Sequence, residues 1–321
     1  MREFLRRLGR SHERRLAVVT LAIAAVFAAL SPGFRSWGNC ADLLESQAVL
    51  AIMAAGLLVV LIAGGIDLSF AAIAAVSQYL TVSLVLRYGG NWTTAVLLAG
   101  ALGAALGGIN ALLVHGLSAP PVIVTIATMT FWFSLLMAAT KGAPLYDLPD
   151  WFTAKNAFLA VPLPLAVAAV VLGATAFLLR RLGLGRQIFA LGSNPEAARR
   201  MGCPVGRLQG FVYGYSGALA GLAGLMQAHR VEEVAPNALI GRELDVLAAV
   251  VLGGASLTGG VGTVGGTITG LVLLAMLRNG LTLLGMSSYS FGWVTGLVIL
   301  LSVGTTALLA RSRKGGRHAA P

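Results

Sequence analysis

Residues 46–64 read SQAVLAIMAAGLLVVLIAG, and residues 68–86 read LSFAAIAAVSQYLTVSLVL. Each run is close to the ~20 apolar residues that an α-helix needs to cross a bilayer. Between the runs lie only Gly65, Ile66 and Asp67, so the connection is a tight turn. The two runs therefore predict a pair of membrane-spanning helices joined at one face of the membrane.

The same apolar pattern continues along the rest of the chain. Hydrophobic residues make up 57% of the 321 residues and charged residues only 11%, against ~25% charged in soluble domains. This composition excludes an ordinary water-soluble fold. We expect an all-α polytopic membrane protein with about ten transmembrane helices in a single domain, 16–310. The other predicted spans are 16–31, 92–114, 121–140, 160–179, 208–228, 246–258, 262–284 and 289–310.

Basic residues indicate the orientation of the spans. The chain has 23 Lys and Arg against 12 Asp and Glu, and 16 of these basic residues lie in 1–15, 180–207 and 311–317. Cytoplasmic segments carry such an excess, so we expect a cytoplasmic N-terminus 1–15, loop 180–207 and tail 311–321. Anionic membrane lipid is the expected counter-charge. Nucleic acid is not an expected partner, because the basic segments lack interleaved aromatic residues that stack on bases.

Two stretches allow a second interpretation. The 13 residues 246–258 make only ~20 Å of helix, short of a ~30 Å hydrocarbon core. This segment either crosses as a broken helix continued by the glycine-rich stretch after it, or is re-entrant. Re-entry would place the basic tail outside, so we expect ten crossings with both termini in the cytoplasm. The N-terminal 31 residues also fit a cleaved signal peptide, but we expect an uncleaved first span.

Motifs for catalysis, cofactors and metals are missing or incomplete. The lysines Lys141, Lys155 and Lys314 are each followed by Gly or Asn, so no P-loop for ATP exists. Residues 260–265 read GVGTVG and match the dinucleotide pattern, but no acidic residue follows Asp245 to bind a ribose. The two cysteines and four scattered histidines form no metal-ligand pattern. We expect no enzymatic activity, metal or cofactor on this chain, so any ATP hydrolysis takes place on another polypeptide.

The loop 180–207 contains the signals of a short helix. Asn194 is a favoured N-cap, Pro195 suits the first helical position, and Glu196 favours the positive end of the helix dipole. Gly202 suits the left-handed residue that follows a helix. Because a helix of two turns is marginal in water, it either packs on its own membrane domain or docks a cytoplasmic partner. The residues assigned to it are Asn194, Pro195, Glu196, Ala197, Ala198, Arg199, Arg200, Met201 and Gly202.

Polar residues in and between the spans are candidates for a substrate path. Asp67, with Ser69 nearby, either caps the next helix or acts in gating, since a carboxylate at membrane depth is costly. Uncharged polar side chains within spans either form interhelical hydrogen bonds or contact the substrate. We take Gln78, Asn110 and Thr125 as path-lining candidates.

Glycines at four-residue spacing predict close helix packing. Such residues lie on one helical face, where the missing side chains allow another helix to approach. The alternative is a flexible broken helix near a transport path. The residues concerned are Gly262, Gly266 and Gly270, with the pairs Gly103 and Gly107, and Gly217 and Gly221.

Five segments together resemble the permease subunits of ribose-type sugar ABC importers. Their order and spacing are typical of that family, and they extend over nearly the whole chain. The segments are AGGIDLS at 63–69, PPVIVT at 120–125, GRQIFALGSNPEAAR at 185–199, ELDVLAAVVLGGASLTGG at 243–260 and NGLTLLG at 279–285.

The resemblance implies a multi-pass protein of the bacterial inner membrane. It implies three partners: a cytoplasmic ABC ATPase that binds ATP and Mg²⁺, a periplasmic sugar-binding protein and a second permease subunit, identical or related. It also implies that the helix at 194–202 is the coupling helix, which lies in a groove of the ATPase. The substrate implied is a neutral monosaccharide, since the family carries pentoses, hexoses and related sugars. Phe70 departs from the family pattern, which commonly has a small residue there, and this affects local packing.

Two other transporter classes remain open from the residues alone. A secondary transporter driven by an ion gradient needs buried carboxylates as coupling groups, and within its spans this chain offers little besides Asp67. An ATP-driven exporter or lipid translocator would use the same short docking helix. Dependence on a periplasmic binding protein separates an importer from an exporter.

Overall fold

The computed structural model describes residues 2–154, 157–158, 161–287, 292–293, 296–297 and 300. In this part, up to residue 283, the chain forms twelve α-helices, a 3-10 helix at Pro32–Arg35, and an antiparallel strand pair, Ala157–Phe158 (β1) with Val161–Pro162 (β2). The helices are α1 Arg2–Leu30, α2 Trp37–Ile62, α3 Phe70–Tyr88, α4 Trp92–Leu117, α5 Pro121–Thr140, α6 Asp150–Thr153, α7 Leu163–Arg181, α8 Gly183–Ser193, α9 Pro195–Arg200, α10 Val205–Val231, α11 Arg242–Leu252 and α12 Val264–Leu283.

Six of the described helices are long and apolar enough to cross a membrane: α2, α3, α4, α5, α7 and α12. The prediction of an all-α membrane protein is therefore confirmed. The helix α1 is continuous from Arg2, so the basic N-terminal stretch and the first apolar run belong to one helix. The predicted span 289–310 and the tail 311–321 lie outside the described residues, except for positions 292–293, 296–297 and 300.

Helix α2 is the centre of the subunit. All residues from Ala48 to Ile62 are buried, and the run is apolar on every side, which allows it to lie among other helices in the centre of the bundle. It packs against α7, α10, α11 and α12. The helix ends where Gly64 takes a positive φ of 86°, which opens the non-helical link to α3.

Helices α4 and α10 approach each other through glycines. A Cβ atom on Gly103 would lie 2.1 Å from the carbonyl oxygen of Gly217, and one on Gly107 would lie 2.2 Å from that of Tyr213. Any larger side chain would therefore force the two backbones apart. Helix backbones that approach so closely that only glycine fits between them are typical of small-residue packing in membranes.

The segment predicted as a span at 246–258 is helical only up to Leu252. Gly253 and Gly254 end α11, and residues 253–263 form an irregular link to α12. Gly266 and Gly270 of α12 pack against the backbone of α11, where Cβ atoms would lie 2.0 Å from Gly253 O and 2.1 Å from Ala249 O.

Gly262 does not lie on the helical face predicted for it. The side chain of Thr263 accepts a hydrogen bond from Gly266 N at 3.0 Å, which makes Thr263 the N-cap of α12 and places Gly262 before the helix. Gly262 packs against α2 instead, since a Cβ there would lie 2.8 Å from Ile62 Cγ1. The four-residue spacing of the glycines predicted a single helix through 262–270. The helix begins only after its N-cap Thr263, so Gly262 is outside it.

An aromatic cluster holds the loop 141–162 against α4 and α10. Trp92 Nε1 donates to the carbonyl of Trp151 at 3.0 Å, and the Trp92 ring stacks on Phe152. His229 Nδ1 lies 2.5 Å from the carbonyl oxygen of Phe152. The contacts fix α6, in the connection between α5 and α7, to α4 and α10.

Candidate coupling and transport site

The short helix predicted at 194–202 is α9, and most of it is exposed. Asn194 caps it, with Oδ1 accepting from Ala197 N at 2.9 Å. Glu196 and Arg200 form an exposed ion pair at 2.5 Å, and Met201 is 71% exposed. Ala198 is fully buried, so it is the contact of α9 with the rest of the subunit. The helix therefore presents two charges and a methionine on one side and an anchor on the other.

A second helix, α8, precedes α9 and was not predicted from the sequence. It ends next to Gly192, which is buried against the end of α2. A Cβ on Gly192 would lie 1.8 Å from Ile62 O and 2.6 Å from Gly260 N, and Gly260 N itself donates to Ile62 O at 2.9 Å. We call the junction of α8 and α9 at 192–194 the elbow. The elbow thus lies directly on the end of α2 and on the link 253–263.

The link between α2 and α3 contains a fully buried carboxylate. Asp67 Oδ1 accepts hydrogen bonds from Ser69 N at 2.8 Å and from Ser69 Oγ at 2.6 Å. Asp67 Oδ2 accepts from Ser216 Oγ of α10 at 3.3 Å. Ser69 Oγ in turn accepts from Asn110 Nδ2 of α4 at 2.6 Å. One acidic group therefore connects the α2–α3 link to two other helices, and both functions predicted for Asp67, capping and gating, stay open.

The three path candidates are all buried inside the subunit. Asn110 bonds to Ser69, and Thr125 Oγ1 of α5 donates to Ile66 O at 3.1 Å, so both hold the α2–α3 link. Gln78 lies elsewhere, with Nε2 donating to Ala235 O in the loop after α10 at 3.5 Å. The structure thus brings two of the three together around Asp67 and separates the third. Their role in substrate passage stays a prediction.

A cavity of about 440 Å³ opens between α2, α11 and α12. Its polar wall is formed by Gln47, Arg242, Asp245 and Arg278. Asp245 Oδ2 accepts from Arg278 Nη1 at 2.9 Å and from Arg242 Nη1 at 3.5 Å. The apolar wall consists of Leu50, Ala249, Leu271, Leu274 and Ala275. Sequence reasoning did not identify this site, because Gln47 of α2 is far in the chain from the charged residues of α11 and α12.

No metal-binding group of three or more His, Cys, Asp or Glu residues exists in the part of the chain that the structure describes. Cys40 and Cys203 are both free thiols. Among the described residues, the Asp67 network offers buried hydrogen bonds and the cavity offers hydrogen bonds together with ion pairs.

A buried polar network beside a short exposed helix, within a bundle of apolar spans, indicates a membrane transport subunit. Residues 39–303 match the family described as branched-chain amino acid transport system / permease component, and the chain belongs to this family. Among its relatives, the ribose import permease of Escherichia coli K12 is 38% identical over 298 residues, 91% of this chain and 92% of the relative.

Other relatives carry related names. The ribose import permease of Bacillus subtilis is 36% identical over 88% of both chains, and the D-allose transport system permease protein of Escherichia coli K12 is 30% identical over 90% of both. No solved structure matches the chain.

Proposed function

We propose that this chain is the membrane-spanning permease subunit of an ABC importer that carries a neutral monosaccharide across the bacterial inner membrane. The observation that carries the proposal is similarity along almost the whole chain to permeases named for ribose and allose. The subunit performs no covalent chemistry, and a partner ATPase hydrolyses ATP. The ion-gradient alternative is not favoured, because the named relatives are importer permeases.

The chain crosses the membrane ten times with both termini in the cytoplasm. In this topology α11 and the link 253–263 cross together as one broken span. Two contacts at the end of the link support it. Thr263 Oγ1 donates to Glu13 Oε1 of the basic N-terminal stretch, and Gly260 lies against Gly192 of the loop 180–207. Both neighbours belong to segments whose charge is typical of the cytoplasmic side.

The exposed face of α9 docks the ATPase, and the elbow transmits its movement to the α2–α3 link. Glu196, Arg200 and Met201 face solvent in the isolated subunit, while Gly192 contacts the backbone of Ile62. A displacement of α9 is therefore passed to α2 without an intervening flexible side chain. A second permease subunit completes the path, and a periplasmic binding protein delivers the sugar on the opposite side.

Co-purification with a sugar-importer ATPase tests the proposed docking. The variant Glu196→Arg/Arg199→Glu/Arg200→Glu reverses the charges of α9, and we expect it to reduce ATPase retention at least tenfold. The control is Arg207→Glu, an exposed site in the same loop region that shifts the net charge by the same amount. Equal retention by the two variants would contradict docking through α9.

Sugar uptake tests the function itself. Proteoliposomes with the permease, the ATPase and the binding protein should accumulate labelled D-ribose or D-allose when ATP is supplied inside the compartment that holds the ATPase. A non-hydrolysable ATP analogue should abolish accumulation. Uptake that persists without ATP and collapses with the proton or sodium gradient would instead establish a secondary transporter.

A further inference from the structure

The cavity between α2, α11 and α12 lies far from the elbow. Gln47 precedes Ile62 by 15 positions on α2, which corresponds to roughly 22 Å along the helix. The loop 232–241 contributes Ala238, Ile240 and Gly241 to the rim. In the proposed topology this loop is periplasmic, so the cavity opens on the side from which sugar arrives.

The charges in this cavity are not placed for contact with lipid. Arg278 lies within the membrane-spanning helix α12, and its side chain is 44% exposed, while that of Asp245 is 31% exposed. Arg278 lies five residues before the end of α12, where a charged side chain can reach the membrane interface, and a charge that faces hydrocarbon is disfavoured. An exposed ion pair here is therefore expected to face water or another protein, and the cavity provides such a space.

The chemistry of the lining fits a neutral polyhydroxyl ligand. Each sugar hydroxyl both donates and accepts, and the wall offers an accepting carboxylate beside guanidinium and amide donors. Asp245 partly neutralises Arg242 and Arg278, so the cluster is less suited to an anion than two unpaired arginines would be. Leu271 and Leu274 supply an apolar surface for the C–H groups of a sugar ring. The volume of about 440 Å³ lies within the ~300–1,000 Å³ common for small-molecule sites.

We propose that this cavity is an outer sugar-binding site in which Gln47, Arg242, Asp245 and Arg278 hydrogen-bond a monosaccharide before it crosses. The proposal rests on the sugar-import function stated above and adds to it a specific binding site on the permease. The sugar passes from the binding protein to this cavity before α9 and the elbow move.

Transport stoichiometry tests the site in the full transporter. We expect Asp245→Asn and Gln47→Leu each to lower sugar moved per ATP hydrolysed at least fivefold, with ATPase retention unchanged. The control Glu232→Gln removes an exposed acidic group from the adjacent loop and should keep the wild-type ratio. Ratios within twofold of wild type in both cavity variants would overturn the proposal.

If the ion pairs only hold α11 and α12 together, the variants should give a different pattern of stability and transport. Breaking one partner of an ion pair leaves an uncompensated charge, and removing both partners relieves that cost. The double variant Asp245→Asn/Arg278→Gln leaves only Arg242 without its acceptor. It should therefore recover part of the thermal stability that Asp245→Asn loses, while its transport ratio stays low. Recovery of both quantities would assign the cluster to the fold and overturn sugar binding.

Direct occupancy is measured with the native polar wall intact. In a background with Cys40→Ser and Cys203→Ser, a Leu274→Cys variant in nanodiscs is labelled with a water-soluble thiol reagent, with and without 50 mM D-ribose or D-ribose 5-phosphate. We expect D-ribose to slow labelling at least threefold and the phosphate ester to have less effect. Labelling unaffected by D-ribose, or slowed only by the phosphate ester, would overturn the proposal.

The sugar-import function and the outer binding site can be disproved separately. If the wild-type transporter moves no monosaccharide, the proposed function fails. If it moves sugar but neither cavity variant changes the ratio and D-ribose gives no protection, only the outer binding site fails.

Discussion

Replacement of Gly192 by alanine tests the contact between the elbow and the membrane core. The added Cβ would lie 1.8 Å from Ile62 O and 2.6 Å from Gly260 N, whereas ordinary contacts begin near 3.4 Å. The neighbours on both sides are backbone atoms, so no side chain can rotate away. The elbow must therefore move off the end of α2 by more than 1 Å.

The energetic cost follows from two changes. Overpacking of this kind costs about 1–3 kcal/mol. Separation of the elbow also disturbs the hydrogen bond from Gly260 N to Ile62 O, and loss of such a bond costs about 0.5–1.5 kcal/mol. Together they amount to about 1.5–4.5 kcal/mol, which lowers the population of the conformation in which the elbow contacts α2 by roughly tenfold or more.

The assay compares uptake, ATP hydrolysis and ATPase retention in reconstituted transporter. Because the exposed face of α9 is unchanged, we expect Gly192→Ala to retain the ATPase while sugar uptake falls at least tenfold. Gly183→Ala is the matched control, since it lies on the same helix and its Cβ would find the nearest atom at 3.5 Å. Wild-type uptake by Gly192→Ala would refute transmission through this contact, and loss of ATPase retention would show that the elbow is needed for docking instead.

Two further variants test the packing of α4 on α10 and the buried carboxylate. Gly107→Ala should lower the thermal unfolding temperature of the detergent-solubilised permease through a clash with Tyr213 O, whereas Gly108→Ala, with no atom within 4 Å, should not; equal shifts would refute close packing as the reason for the glycine. Asp67→Ala leaves three buried donors of two serines without their acceptor, at about 1–3 kcal/mol each, so we expect little folded protein on size-exclusion chromatography, while Asp42→Ala at an exposed site should behave as wild type.

The parts of the structure that could be predicted from the sequence depend on residues that are close together in the chain. Apolar runs of spanning length and the capping residues around 194–202 act within a few positions of each other, so α2, α3 and α9 are close to their predicted places. The helix α8 was missed because its glycines at 183 and 185 and the neighbouring arginines look like loop residues. Only tertiary contacts of Ile188 and Leu191, which are buried, stabilise it.

The candidate sites depend on contacts between distant segments. Asn110 and Thr125 could be selected as polar residues in apolar spans, but the sequence contains nothing that places both beside the α2–α3 link. Arg278 pairs with Asp245, 33 positions earlier, a contact that the sequence alone does not indicate. The segment 243–260 was recognised by its resemblance to the family. Only the fold shows that its Asp245 lines a cavity.

Helix α2 connects the two sites. Its C-terminal end contacts the elbow at Ile62. The outer cavity is lined by Gln47 and Leu50, which lie nearer the middle of the helix. Since every residue from Ala48 to Ile62 is buried and protein interiors are close-packed, a displacement at Ile62 cannot be absorbed by local rearrangement alone. A shift of α2 relative to α11 and α12 changes the shape of the cavity. In the proposed importer, docking at α9 and occupancy of the outer cavity are therefore coupled through the position of one rigid helix.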